Sequence, residues 1–303
     1  MKKLIAVLTV LSLLLTGVAA LADVPDVEQL RIQFVPTNTE TADATTAEFS
    51  AYMSDLLGIP VTVTVATSYN GIVEAMESGT VDVGIMPPAA YSQARSMGVA
   101  KAILSNTLVD YDQVTEQPIE GSKVGSFKAE VLVRADSGID GYEGLVGKKI
   151  AYLGAASASG YIYPVAEMKN LGLDTESCTW VNITSIPSAM LAVVNGSVDA
   201  CLTFEGSRYV FSSAVLDDNG NPYDLYELLK VAKLSDADIP NDAVAVSSKL
   251  SDAAAKAVED AFLKMAADEK GLAIMKAWGH TGYVPAQESD YDTIAQYIAL
   301  AAD

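Results

Sequence analysis

Hydrophobic and polar positions repeat along the chain in two similar blocks. Residues 69–88 and 186–205 each read as an amphipathic helix, a glycine, a Val-Asp pair and a short apolar strand, at a constant offset of 117 residues. A glycine after the helix, Gly79 or Gly196, is typical of a left-handed helix end. Both strands are apolar throughout, as expected for parallel strands that are covered on both faces. They span Val83–Met86 and Ala200–Thr203.

A matching strand and helix precede each block. Residues 30–36 and 148–154 read as strands that run into polar, small-residue loops, and helical patterns follow over Thr46–Leu57 and Tyr161–Leu171. Each half is therefore strand–helix–strand–helix–strand, which predicts a right-handed, mostly parallel sheet. The alternative is two unrelated α/β units of similar rhythm, because helix–Gly–strand junctions are common.

After the second block the pattern predicts a return to the first half. Ala243–Val246 reads as a strand, and Ser251 and Asp252 form a good helix start. Apolar residues then recur at helical spacing in two helices. They are Val258, Phe262 and Met265 in the first helix and Ile294, Tyr297, Ile298 and Ala301 in the second.

The sequence therefore predicts an α/β fold with two lobes, each a mostly parallel sheet flanked by helices. Lobe 1 would comprise residues 29–133 plus 240–303, and lobe 2 would comprise residues 134–239. Ligands of open α/β sheets bind outside the carboxyl ends of the strands, so the cleft between the lobes is the predicted site. The loops that would face this cleft are Pro36–Thr41, Met86–Tyr91, Gly154–Tyr161 and Thr203–Arg208.

Residues 1–22 have the form of a secretory signal peptide. Lys2 and Lys3 precede the apolar stretch Leu4–Leu15, and Ala20-Leu21-Ala22 is a small-x-small cleavage site. The alternative is an uncleaved anchor, although the apolar stretch is short for a membrane span. No cysteine lies near the cleavage site, so we expect an exported protein, periplasmic or outside the cell, that is not lipid-anchored.

Composition narrows the classes of function. The chain has 39 acidic and 19 basic residues, for a net charge of −20, which argues against a nucleic-acid partner and against an anionic membrane surface. A single histidine, His280, is most simply a packing residue and leaves no nucleophile–base–orienter set. Two cysteines exclude a disulfide framework or a Cys-rich metal site, and whether Cys178 and Cys201 pair is left open.

The sharpest local signal is the loop Gly154–Tyr161. Pro164 follows it, and proline is tolerated in the first turn of a helix, which predicts a helix start near Ser159 or Gly160. Free backbone N–H groups, the positive end of the helix dipole and the hydroxyls of Ser157 and Ser159 would then converge as an anion socket. The alternative is a serine N-cap and a small-residue turn.

Three further side chains are candidates for ligand contact. Tyr69 and Tyr91 bracket the first block at the expected cleft rim, where a tyrosine can offer an apolar ring and a phenolic donor. Glu205 follows the second apolar strand and could capture a ligand amine or pair with Arg208. The Val-Asp residues Asp82 and Asp199 are more simply structural, with their carboxylates bonded to backbone in the turn.

With these residues in view, the chain resembles the phosphonate/phosphite-type substrate-binding proteins of ABC transporters. The resemblance runs in order along most of the chain, and its more distinctive segments read Ala-Asp-Ser-Gly-Ile and Ser-x-Ser-Gly. The matching segments are residues 32–37, 81–84 with Pro88 and Tyr91, 131–139, 157–161 and 239–242.

The resemblance implies a type II periplasmic-binding-protein fold that closes around a small oxyanion and delivers it to ABC permease subunits, without a cofactor. It implies that Ser157 and Ser159, with backbone N–H groups nearby, hold the phosphorus-bound oxygens and that Tyr69 and Tyr91 are the contacts from lobe 1. The expected ligand-binding set is Thr37, Tyr69, Tyr91, Ser157, Ala158, Ser159, Gly160 and Glu205.

One departure from the family pattern concerns the ligand. Ile186 stands where the family often has a histidine, so an apolar side chain replaces a hydrogen-bond donor. The expected ligand is a phosphonate, phosphite or phosphate-like oxyanion or an aminoalkylphosphonate. Because this departure argues against a phosphonate, the alternative is an amine or other small organic solute. An exported enzyme on the same fold and an extracellular sensor partner are the alternatives from other classes.

Overall fold

A computed structural model describes residues 26–35 and 42–302 of the chain. The predicted signal peptide and Thr37 lie outside the described residues. Within the described residues, no helix is both long and apolar enough to cross a membrane.

Six described strands form the sheet of lobe 1, in the order β13-β4-β12-β3-β1-β2. β1 pairs in parallel with β2 and β3, whereas β12 runs antiparallel to both β3 and β4, and β13 runs antiparallel to β4. Four of the six strands therefore point the same way. The strands are β1 (Leu30–Phe34), β2 (Val61–Val65), β3 (Val83–Met86), β4 (Ala100–Thr107), β12 (Ala243–Ser247) and β13 (Gly282–Pro285).

Five described strands form the sheet of lobe 2, in the order β10-β6-β9-β7-β8. β7 is parallel to both β8 and β9, and β6 is antiparallel to β9 and β10, so four of these five strands share a direction. The predicted α/β architecture of two mostly parallel sheets is confirmed. The strands are β6 (Ala129–Arg134), β7 (Lys149–Tyr152), β8 (Thr179–Asn182), β9 (Ala200–Phe204) and β10 (Leu229–Leu234).

Helices flank both sheets. The helices of lobe 1 are α1 (Ala42–Leu57), α2 (Tyr69–Ser78), α3 (Pro88–Ser96), α8 (Asp252–Ala267) and α9 (Glu269–Met275). Those of lobe 2 are α4 (Tyr163–Asn170), α5 (Ile186–Val194), α6 (Ser207–Val210) and α7 (Leu225–Leu228). The last helix is α10 (Asp292–Ala302), and short 3₁₀ turns span Glu143–Leu145, Lys276–Trp278 and Glu288–Tyr291.

Two short strands connect the lobes. β5 (Ser126–Phe127) and β11 (Ile239–Pro240) pair antiparallel with each other, apart from the two main sheets. β6 follows at once and pairs with β9 of lobe 2, whereas the predicted boundary after residue 133 placed it in lobe 1. The apolar run of β6 would suit either sheet, so pattern alone misplaced it. Apart from this strand, the division of the chain into lobes stays a prediction.

The repeat has the same geometry in both lobes. Gly79 and Gly196 both have left-handed backbones, with φ of 76° and 74°. The carboxylate of Asp82 accepts the N–H of Arg31 in β1, and that of Asp199 accepts the N–H of Lys149 in β7. The structural interpretation of both aspartates therefore holds, with the carboxylates reaching the neighbouring strand.

The C-terminal helix α10 packs on α3 of lobe 1 and on α4 of lobe 2. Its buried face carries the residues that the helical spacing picked out, with Ile294 and Ala301 buried and Tyr297 stacked 4.4 Å from the ring of Tyr163. Ala158 and Ile162 of lobe 2 share an apolar cluster with residues of lobe 1. The lobes are thus in contact and the cleft between them is closed.

The segment between β4 and β5, residues 108–125, extends from lobe 1 to lobe 2, and we call it the strap. Its two ends pair with each other, and its tip carries Glu116 into lobe 2. There Glu116 accepts two hydrogen bonds of 2.9 Å from Arg208, and both side chains are buried. Sequence analysis found no signal for this contact.

Candidate functional site

The loop after β7 forms the start of a helix, as the sequence pattern predicts. Ser157 is the N-cap: its Oγ accepts the N–H of Gly160 at 3.1 Å, and a π turn over Ala158–Ile162 leads directly into α4. The helical backbone thus begins at Ala158, slightly before the predicted start. Pro164 is the second residue of α4, which directly follows the π turn, so the helix begins one turn earlier than a first-turn proline would place it.

Backbone N–H groups at this helix start point away from the helix body. The first N–H groups of a helix have no intrahelical acceptor, and they carry the positive end of the dipole. Among the described residues, the Ser159 hydroxyl has no hydrogen-bond partner, although Ser159 is only 7 % exposed. At Gly160 a Cβ would lie 2.7 Å from the side chain of Leu153, so only glycine fits in the turn. The arrangement can accept an anion without a cationic side chain.

Tyr69, the first residue of α2, comes to the same point from lobe 1. Tyr69 packs against the apolar cluster that contains Ala158 and Ile162. The neighbouring Ser157 lowers the pKa of the Tyr69 hydroxyl, but burial and then the charge of Asp242 raise that pKa more. Tyr69 is therefore a neutral phenol that can donate a hydrogen bond to an anion. Because Tyr69 and Ser157 belong to different lobes, their meeting depends on cleft closure.

Asp242 is a further candidate site residue, which the sequence analysis did not single out. It follows β11 and precedes β12, and since β12 runs antiparallel to β3 it lies at the carboxyl end of β3. Its carboxylate lies 3.5 Å from His280 Nε2 and is partly exposed. A signal existed in the segment 239–242, which carried the resemblance, but no role was assigned to the aspartate.

Glu205 lies at the carboxyl end of β9, with its N–H bonded to the carbonyl of Lys128 just after the crossing strand β5. The residue is 7 % exposed, and its Oε1 has no hydrogen-bond partner among the described residues. Burial, and to a smaller extent the charge of Asp110, raise its pKa. Pairing with Arg208, one of the two expected roles, is excluded because Arg208 binds Glu116.

Tyr91 lies apart from this group. It is fully buried, its hydroxyl accepts the N–H of Ala102 at 3.0 Å, and it donates to Glu288 at 3.1 Å. Its ring packs 4.6 Å from that of Tyr291. A residue just past a strand end can point into the lobe or into the cleft, and the contacts of Tyr91 are internal. We therefore leave Tyr91 out of the proposed ligand contacts.

Two other sequence expectations concern single side chains. His280 is 2 % exposed and packs against Trp278 and Tyr283, and burial lowers its pKa. Cys178 and Cys201 are free and buried. Among residues 26–35 and 42–302, no group of three or more His, Cys, Asp or Glu side chains could hold a metal ion.

Comparison with known proteins gives one family over most of the chain. The family described as "ABC transporter, phosphonate, periplasmic substrate-binding protein" matches residues 32–291. The phosphate-import protein PhnD of Mycolicibacterium smegmatis is 30 % identical over 150 residues, which are 46 % of this chain and 43 % of that protein. The chain thus matches less than half the length of this relative.

Solved structures give the same fold. A binding-protein component of an ABC phosphonate transporter from Pseudomonas aeruginosa has a TM-score of 0.70 at 19 % identity, covering 91 % of this chain and 87 % of the other. PhnD1 from Prochlorococcus marinus, solved in complex with methylphosphonate, has a TM-score of 0.68 at 14 % identity, covering 89 % and 97 %. At such identities the likeness concerns the fold, which is that of type II periplasmic binding proteins.

The family match spans the strands, the crossing segments and the helix start that build the closed cleft. The chain belongs to the family of periplasmic substrate-binding proteins of phosphonate ABC transporters.

Proposed function

We propose that this protein is the exported solute-binding component of an ABC importer. It binds a small phosphonate, phosphite or phosphate-like oxyanion in the cleft and presents it to the permease subunits at the membrane. In this proposal it is periplasmic, is not lipid-anchored, and neither catalyses a reaction on its ligand nor needs a cofactor. Nucleic acid is not among its partners.

The observation that carries the proposal is the meeting of Tyr69 from lobe 1 with the Ser157 helix start of lobe 2. An oxyanion between them would accept from the Tyr69 hydroxyl, the Ser159 hydroxyl and free backbone N–H groups. Charge-assisted bonds of this kind are the strong ones. Such a ligand contacts both lobes only when they are closed, so its binding favours the closed state.

Two carboxylates favour an amine on the same ligand. The Oε1 of Glu205 is buried without a partner among the described residues, and Asp242 lies close enough to Tyr69 to raise its pKa. An unpaired buried carboxylate oxygen is costly, and an ammonium group would satisfy it. Within the proposed class we therefore favour an aminoalkylphosphonate over an inorganic oxyanion.

Titration calorimetry of the wild type and of Ser159→Ala tests the proposal, with methylphosphonate, phosphite, phosphate and 2-aminoethylphosphonate as ligands. We expect Ser159→Ala to weaken binding by about 1.5–3 kcal/mol, or roughly 10- to 100-fold, because one donor to a charged oxygen is lost. A melting curve is the control for a structural effect. Wild-type affinity in Ser159→Ala, or no binding of any of the four ligands to the wild type, would contradict the proposal.

Glu205→Gln tests the preference within the class. We expect it to weaken 2-aminoethylphosphonate selectively and to leave phosphite and phosphate nearly unchanged, since glutamine keeps the size of the side chain but not its charge. Equal losses of affinity for both kinds of ligand would show that Glu205 holds the end of β9 in place and does not contact the ligand amine.

A further inference from the structure

Exposed apolar side chains are concentrated on two segments of the described chain. Of the eleven large hydrophobic residues that are most exposed, Val114 and Ile119 lie on the strap, and five more lie between Tyr209 and Leu228. Isolated exposed apolar residues are normal on a protein surface, but a contiguous group marks an interaction site.

The two segments are in contact with each other. Gln117 of the strap donates to the hydroxyl of Tyr226 at 3.2 Å, and the rings of Tyr111 and Tyr209 lie 6.3 Å apart. We call the surface formed by Tyr111, Val114, Tyr209, Val210 and Tyr226 the tyrosine patch. Tyrosine is enriched in protein interfaces because it offers apolar area together with a hydroxyl.

The buried ion pair between Glu116 and Arg208 joins the strap to α6 beneath the tyrosine patch. Arg208 also donates to the carbonyl of Leu229 and stacks 4.7 Å from the ring centre of Tyr226. The strap and the α6–α7 segment are therefore held in register without a partner. A surface that is ordered in advance loses less conformational entropy when it binds.

Charge indicates what kind of partner fits. Residues 108–125 and 207–228 contain eight acidic side chains and two basic ones, and one of the basic ones is the buried Arg208. Exposed carboxylates therefore lie on the same two segments as the patch, among them Asp112, Glu120 and Glu227. A second copy, with the same net charge of −20, or an anionic lipid surface would be repelled.

The opposite side of the strap faces the candidate site. The charge of Asp110, near the start of the strap, contributes to the raised pKa of Glu205, although burial is the larger cause. Glu205 therefore lies close enough to the start of the strap to be affected by the charge of Asp110.

We infer that the tyrosine patch is a docking surface for the permease of the importer, through a permease surface that has apolar side chains and a rim of Lys and Arg. This inference rests on the proposed function for the identity of the partner. Basic residues on the partner would pair with the acidic rim and steer association, and its apolar side chains would cover the tyrosines.

The test uses the full exported chain and the cognate permease subunits in nanodiscs, with binding measured by interferometry in the presence of 2-aminoethylphosphonate. The double variant Val114→Asp/Val210→Asp places charge in the patch at two exposed positions. The matched control Leu171→Asp/Met97→Asp changes two exposed apolar residues elsewhere, since these side chains are 54 % and 43 % exposed. A third variant, Glu120→Lys/Glu227→Lys, reverses charge on the rim.

We expect the patch variant to bind the permease at least about tenfold more weakly and the control to bind like the wild type. The rim variant should associate more slowly, with a smaller effect of added salt. Calorimetry of the same variants should give an unchanged ligand affinity. Wild-type permease binding by the patch variant, equal loss in the control, or no permease binding by the wild type would each overturn the inference. Failure of the proposed function has a different signature, which is absence of ligand binding in the calorimeter.

Discussion

The two repeat units place different residues at equivalent positions, 117 residues apart. Tyr91 of lobe 1 corresponds to Arg208 of lobe 2, and each is buried just past a strand end. Tyr91 holds Glu288, which precedes α10, and Arg208 holds Glu116 of the strap. In both lobes this position therefore anchors a segment from a distant part of the chain, and it does so with a phenol in one lobe and an ion pair in the other.

A second equivalent pair differs in function. Tyr69 and Ile186 each open a helix whose N-cap is serine, with Ser68 Oγ accepting the N–H of Gly71 and Ser185 Oγ accepting that of Ser188. Tyr69 reaches Ser157 across the cleft, whereas Ile186 packs against the apolar cluster within lobe 2. The same backbone geometry thus supplies a polar contact in one lobe and a packing residue in the other. The polar groups of lobe 2 that would contact the proposed ligand lie instead at the helix start capped by Ser157.

The largest expected effect is the loss of stability when the buried ion pair between Glu116 and Arg208 is removed from lobe 2. Arg208→Met would leave Glu116 buried without its cation, and breaking a buried ion pair costs about 3–5 kcal/mol. Urea denaturation should show this loss in the free energy of unfolding. The control is Arg31→Met, which removes an ion pair with Asp82 that is 38 % exposed on the arginine side, and we expect a loss of about 0–1 kcal/mol. Similar losses in the two variants would show that burial does not distinguish the pairs.

The next effect concerns ligand affinity. Tyr69→Phe removes the donor from lobe 1, so we expect the affinity for the best oxyanion ligand to fall by about 1.5–3 kcal/mol, or roughly 10- to 100-fold in titration calorimetry. Ile186→Val, at the equivalent position of lobe 2, should leave the affinity unchanged. If both variants bind like the wild type, Tyr69 does not contact the ligand.

Tyr91→Phe tests whether the anchor of lobe 1 is separate from the site. The buried N–H of Ala102 would lose its acceptor, which costs about 1–3 kcal/mol of stability. We expect the melting temperature to fall while ligand affinity stays at the wild-type value. A stable variant with weakened binding would return Tyr91 to the ligand contacts.

The repeat explains which parts of this fold could be predicted from sequence. Apolar strands that follow helix-ending glycines fix local structure within short windows, and both blocks were found in this way. The helix start at Ser157 was also a local signal, because Pro164 restricts where a helix can begin. The two-lobed architecture followed from the order of these elements.

Contacts between distant residues could not be predicted in the same way. Glu116 and Arg208 are 92 positions apart, and the strap has no periodic pattern that would indicate where its tip lies. β6 was misplaced because its apolar run suits a strand in either sheet. The sequence places Tyr91 just after the end of a strand, but it does not show which way the side chain points. That direction depends on contacts with residues that are distant in sequence.

The smallest expected effect is a pH dependence of stability that arises from Glu130 in lobe 2. Glu130 is fully buried in β6, accepts a hydrogen bond of 3.0 Å from Ser207, and has Glu116 nearby. Burial, and then the charge of Glu116, raise its pKa well above the ordinary value of 4.5. The folded protein therefore keeps this proton at pH values where the unfolded chain has released it.

The sign of the effect follows from this difference. Stability that Glu130 contributes in its neutral form is fully present below pH 4.5 and is lost as the pH rises through the raised folded pKa, by at most about 1.4 kcal/mol per pH unit. Glu130→Gln does not titrate, so its free energy of unfolding, measured in urea from pH 4 to pH 8, should fall less with rising pH than that of the wild type. Thr203→Val, at the position opposite Glu130 in β9, is the control and should shift the curve without changing its slope. Parallel curves for the wild type and Glu130→Gln would mean that Glu130 is ionised in the folded protein, and that Arg208 neutralises two carboxylates where Tyr91 bonds only one.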